Sequence, residues 1–170
     1  MVLESFRLGP LRLLALCLAA TIFAGCGGSS ASKEPPQSVR GPGFTFSAPA
    51  GWRVSVGSRR ASASQGDELV QVATFPLLKP YSDALFAKVE RELDVRMKEV
   101  AKQTGGTVSG GSTVTAGGVR SHSYEVTDGD RVDEYTFVLR NMREYQLLCR
   151  RQASSDSETC KLLITSFQPA

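Results

Sequence analysis

Histidine is the side chain best suited to move protons near neutral pH, and this chain of 170 residues has one, His122. It lies in Gly118-Val119-Arg120-Ser121-His122-Ser123-Tyr124. A serine nucleophile would need that imidazole beside it and an acid behind it. Neighbouring residues of a strand point to opposite faces, so Ser121 and Ser123 do not aim at the ring. No Gly-x-Ser-x-Gly elbow occurs. His122 therefore reads as a structural or surface residue, and no catalytic residue is assigned. The acidic run Asp128, Asp130, Asp133 and Glu134 lacks the Asp order and the closing Glu of a calcium loop. Asp128-Gly129 reads instead as a hairpin turn. The glycine-rich stretch 104–111 lacks the Gly-Lys-Ser/Thr of a phosphate loop and follows a helical segment rather than preceding one. No metal or cofactor is expected, and no enzyme.

Sulfur offers more. Of four cysteines, Cys17 and Cys26 lie near the start, Cys149 ends a strand-like run and Cys160 falls in a helix-like run. Cys149 and Cys160 form an even pair separated by a short loop. An exported chain would join them as a disulfide that staples the last helix to the sheet, worth about 3 kcal/mol in the chain-entropy model. The alternatives are two buried free thiols or half of a metal set, but neither a further Cys nor a nearby His completes tetrahedral zinc.

Compartment is read from the first 25 residues. Arg7 and Arg12 precede Leu13–Ala24, twelve uncharged apolar or small residues. A membrane-spanning helix needs about 20, so the run has the length of a signal-peptide core. It ends Phe23-Ala24-Gly25-Cys26, followed by glycines and serines. That pattern resembles the bacterial lipoprotein signal, departing from it in Phe23 where Leu is most frequent. The resemblance implies cleavage before Cys26, acylation of its sulfur (palmitate among the chains), and a location on the extracytoplasmic face of the cell membrane. Two acyl chains suffice for stable anchoring where one does not. Residues 27–43 are rich in Gly, Ser and Pro without apolar periodicity. They read as a disordered tether with a reach of about 20 Å. The expected organisation is a signal peptide over 1–25, lipidated Cys26 and tether over 26–43, and one folded domain over 44–170. The net charge is +3, of which Arg7, Arg12 and Glu4 carry +1. The remainder is too small to argue for nucleic acid.

The domain begins with alternation. Phe44 and Phe46, then Trp52, Val54 and Val56, keep the period of two around a Pro49-Ala50-Gly51 turn. Residues 57–67 read as a loop, and Glu68–Phe75 as a third strand. Residues 82–103 read as a helix, with Ser82 able to cap. Its apolar stripe is Leu85, Val89, Leu93, Met97 and Val100, with Glu92–Arg96 and Asp94–Lys98 as spaced ion pairs. Four strand-like runs follow. A last helix is capped at Ser154 or Ser155 and carries Cys160, Leu163 and Phe167. The order β-β-β-α-β-β-β-β-α predicts an α+β fold, a central antiparallel sheet of six to seven strands covered by helices.

That order, with Phe44-x-Phe46-x-x-Pro49-x-Gly51-Trp52 at the start and a closing Ser166-Phe167, resembles the PsbP-like α/β/α sandwich over nearly all of 44–170, and in particular the small LpqN-type lipoproteins. The resemblance implies a binding or assembly module. Shared fold does not carry function. The expectation is a membrane-anchored extracytoplasmic binding or scaffold domain with an envelope protein partner. The alternative is a carrier of a small apolar molecule between helix 82–103 and the sheet. Arg140, Arg143, Arg150, Arg151 and Lys161 would form either one basic patch for anionic lipid or an acidic partner, or a scatter of solvated charges.

Overall fold

The computed structural model describes residues 34–170. The signal segment 1–25 and Cys26 lie outside the described residues. Two β-sheets and two helices make three layers. The large sheet has eight strands: β3 (Arg53–Val56), β4 (Arg60–Gln65), β5 (Glu68–Pro76), β6 (Thr107–Val108), β7 (Ser112–Ala116), β8 (Val119–Asp128), β9 (Arg131–Arg140) and β10 (Arg143–Gln152). Its order is β3-β4-β5-β10-β9-β8-β6, with β7 also on β8, and its pairings are antiparallel. A small sheet joins β1 (Gln37–Gly41), β2 (Phe44–Ala48) and β11 (Gln168–Pro169) in the order β1-β2-β11.

Alternation in β9 assigns the layers. Val138 packs into a core with the small sheet and helix α2 (Glu158–Ser166), through Phe46, Trp52, Leu147, Leu163 and Phe167. Phe137 and Leu139 pack on the other face, against Leu93, Met97 and Ala101 of helix α1 (Phe86–Thr104). Each such fully buried large apolar side chain contributes about 1.5–3 kcal/mol. The fold is α+β with a central antiparallel sheet, as expected, but wider by one strand.

The differences have local causes. Residues 37–41, assigned to the tether, form β1, because Val39 and its pairing with Phe46 bury one side of the segment. Residues 60–65, read as loop, form β4. Its core-facing residues are alanines, Ala61 and Ala63, so small that the alternation carries little apolar signal. The first helical turn, Asp83–Leu85, is 3-10, and Ser82 makes no side-chain cap. Leu85 is consequently exposed, and Phe86 takes its place in the buried stripe. Arg96 bonds Glu144 on β10 at 3.1 Å rather than Glu92, whose partner is Lys88. Helix α2 starts at Glu158, later than expected, where the Asp156 carboxylate accepts the Glu158 N–H at 3.0 Å.

Candidate functional site

The Cys149 and Cys160 sulfurs are bonded, with Cα atoms 5.4 Å apart. Both residues are buried, and the bond ties α2 to β10. His122 is fully buried on the α1 side of the sheet, with its ring stacked on Phe86 at 3.8 Å between centroids. Arg120 lies over the other region of that system, 3.8 Å from the Phe86 ring centre. The His122 Nε2 has no hydrogen-bond partner among the described residues. Burial pushes the imidazole pKa below its ordinary value, against the upward pull of Glu90 and Asp94. Ser121 and Ser123 face the opposite layer, where Ser121 donates to the Val119 carbonyl and Ser123 pairs with Thr136. No triad is assembled around His122.

The two ends of the large sheet differ sharply in charge chemistry. At one end stand the turns at Gly66 and Gly129 and the last residues of β10. Here Asp133, whose side chain is 5% exposed, accepts both Nε and Nη2 of Arg150 at 2.7 and 2.9 Å, and Arg131 Nε lies 3.8 Å away. That bidentate bond raises the Arg150 pKa above its ordinary value. Arg151 bridges Glu134 at 3.0 Å and Glu125 at 3.3 Å. Arg131 also reaches Asp128, at 3.0 Å. An open cavity of about 610 Å³ lies among these groups, but the cations lining it are already engaged.

At the other end, four separate segments converge: the β1–β2 turn, the β3–β4 turn, the stretch after β5, and the β9–β10 turn. They bring Arg59, Arg60, Lys79, Arg140 and Arg143 to the surface, all exposed. None of the five makes an ion pair among the described residues. The nearest carboxylate along β10, Glu144, is occupied by Arg96 and Gln146. The loop after β5 is pinned to the β9–β10 turn. Leu77 N–H donates to the Met142 carbonyl and Tyr81 N–H to that of Asn141, each at 2.8 Å. Asn141 accepts the left-handed conformation the tight turn requires, with φ of 53°. Gly43 (φ 82°) does the same in the β1–β2 turn. A Cβ there would meet the Arg143 guanidinium at 2.7 Å, so the missing side chain lets Arg143 lie against the turn. A depression of about 630 Å³ opens between Gly43, Arg59, Pro76, Met142 and Arg143. Among the described residues, four of the seven exposed large apolar side chains also stand at this end: Val56, Phe75, Leu78 and Met142. Leu78 is wholly exposed.

The five basic residues singled out in the sequence thus do not form one patch. Arg140 and Arg143 go to the unpaired end. Arg150 and Arg151 go to the paired end, and Lys161 bonds Glu158 on α2 at 2.9 Å. The basic end was missed because its cations are distributed over positions 59 to 143. The available signal was apolar residues inside polar turns, Leu78 and Met142. Between α1 and the sheet, where the alternative reading placed a carrier pocket, side chains fill the interior and leave an open groove of about 310 Å³ near Tyr81 and Val89.

No family model matches the chain, and no curated protein matches it. Among solved structures, the solution structure of the cyanobacterial PsbP protein CyanoP from Synechocystis superposes with a TM-score of 0.58 at 15% identity, covering 87% of this chain and 99% of that one. The fold is PsbP-like. A crystal structure from Bacteroides thetaiotaomicron superposes with a TM-score of 0.53 at 9% identity over 75% of this chain. This chain spans 45% of that protein's length. The residues that carried the PsbP-like resemblance have structural duties here. Phe44, Phe46 and Trp52 are buried in the α2-side core, and Gly51 turns the chain with φ of 76°.

Proposed function

We propose that this chain is a non-catalytic binding or scaffold domain of the cell envelope, held to the membrane by acylated Cys26, and that its contact surface is the basic end of the large sheet. The observation that carries this reading is the asymmetry of charge. At one end Arg131, Arg150 and Arg151 are locked to carboxylates, although Arg53 beside Ser64 is exposed without an ion pair among the described residues. The other presents five unpaired cations among four exposed apolar side chains. A buried Cys149–Cys160 bond supports an oxidising compartment, in keeping with the signal-like start. The work is contact, and the acidic turn serves stability through its ion pairs with Arg131 and Arg150.

Two experiments test the reading. Growth with an alkyne-tagged palmitate should label the chain, and Cys26→Ala should abolish the label. Persistent labelling of that variant, or none in the parent, contradicts the anchor. A photo-crosslinking residue placed at Leu78 should capture neighbours in intact cells, while the same residue at Asp67, on the paired end, should not. Equal capture from both positions contradicts the assignment of the surface.

A further inference from the structure

Resting on the assignment of the basic end as the contact surface, we propose that its partner is an anionic phospholipid bilayer, engaged peripherally and in addition to any lipid on Cys26. Val56, Phe75, Leu78 and Met142 stand at the ends of β3 and β5 and in two different loops, and Leu78 is wholly exposed. Phe75, Leu78 and Met142 are neighbours, since Phe75 lies opposite Glu144 and the Leu77 N–H donates to the Met142 carbonyl, and they make one exposed apolar rim. The boundary between headgroups and acyl chains accepts apolar side chains at any spacing, as it does those of interfacial helices.

Charge complementarity points the same way. Arg59, Arg60, Lys79, Arg140 and Arg143 surround the apolar residues, and the described residues offer them no ion-pair partner. Each cation near an anionic leaflet strengthens binding roughly fivefold. Arginine in particular presents a planar fork that matches phosphate oxygens. The depression of about 630 Å³ is flanked by Arg59 and Arg143 from two different turns, and a lipid phosphate entering it would meet both guanidinium groups.

The attachment is geometrically compatible with the anchor. β1 runs five residues from Gln37 toward the basic end, about 17 Å at strand rise. The ten residues 27–36 can span at most about 35 Å. Cys26 and the basic end can therefore meet one bilayer.

The test uses the full chain with Cys26→Ser, so that lipidation plays no part, sedimented with vesicles of phosphatidylglycerol mixed into phosphatidylcholine or of phosphatidylcholine alone. The apolar run 13–24 contributes in both cases and Arg7 and Arg12 favour the anionic vesicles in every variant, so the change in the ratio on reversing the domain's charges is what is read. We expect partition at least tenfold stronger to the anionic vesicles, weakening steeply with salt. The triple variant Arg59→Glu, Arg140→Glu and Arg143→Glu should lose most of that preference. Leu78→Ser with Met142→Ser should weaken binding several-fold. Should the triple variant fold poorly, the single Arg143→Glu variant carries the test. Equal partition to both vesicle types, or a preference unaffected by the reversals, overturns the proposal. Capture of an acidic protein from Leu78 with no vesicle preference overturns it too, while leaving the contact surface standing.

Discussion

The two ends of the large sheet carry comparable numbers of arginines and use them oppositely. At the Gly129 end Arg131, Arg150 and Arg151 hold the structure, while Arg53 stands exposed without an ion pair among the described residues. Asp133 is buried, bidentate to Arg150 and within reach of Arg131, and Arg151 bridges two glutamates across neighbouring strands. At the Asn141 end Arg96 is held by Glu144, but Arg59, Arg60, Lys79, Arg140 and Arg143 make no ion pair among the described residues, and apolar side chains stand in water beside them. Charge that is paired within the fold contributes to specificity and stability. Charge left unpaired is available to something outside it. The comparison teaches that composition near neutrality, +3 over the whole chain, can conceal a strongly one-sided surface.

The largest effect should come from breaking the paired end. Asp133→Ala leaves Arg150 and Arg131 without their buried acceptor and should cost about 3 kcal/mol, read as a fall in the urea midpoint. A loss below about 1 kcal/mol would show that this end is not structural. Replacing Cys149 and Cys160 together by alanine should cost a similar amount, about 3 kcal/mol for a loop of this length. The parent's melting temperature should then fall on adding reductant, and the variant's should not.

His122 offers a smaller, pH-dependent effect in the layer between the ends. Burial depresses its pKa, so the folded state refuses a proton that the unfolded chain accepts below about pH 6.5. The stability that rests on neutral His122 is full above that pH and falls as the pH drops through it, by up to about 1.4 kcal/mol per unit. Glu90, the Phe86 backbone hydrogen bond and Asp94 oppose that depression and temper the slope, whereas Arg120 adds to it. His122→Phe should flatten the stability curve between pH 7.5 and 5.5. An unchanged slope would mean another group titrates there. Smallest of all, Arg59→Ala, Arg140→Ala or Arg143→Ala should each change stability by less than about 0.5 kcal/mol, since these side chains have no partner to lose. A loss as large as that of Asp133→Ala would erase the distinction between the ends.

Much of the fold is legible in the sequence where side chains alternate strongly. Phe44, Phe46, Val70, Val72 and the residues of β9 announce their strands, and Asp128-Gly129 its hairpin. Strand β4 is illegible because Ala61 and Ala63 are small, and β1 because a single buried valine, Val39, carries its pairing. The helix stripe shifts by one residue because a 3-10 turn rotates Leu85 away from the core. The disulfide pair follows from the count of cysteines. The basic end does not, since it is a product of topology. Four turns from positions 42 to 143 meet only when β5, β9 and β10 lie side by side in antiparallel register.

The end of the large sheet that touches the membrane can be read directly by fluorescence quenching. In a Trp52→Phe background, which removes the chain's single native tryptophan, a reporter is placed by Leu78→Trp or by Asp67→Trp, and the protein is mixed with vesicles containing brominated phosphatidylglycerol. The account predicts that bromine quenches the fluorescence of the Leu78→Trp protein and leaves that of the Asp67→Trp protein nearly unchanged. Equal quenching at both positions, or quenching at 67 alone, would contradict it.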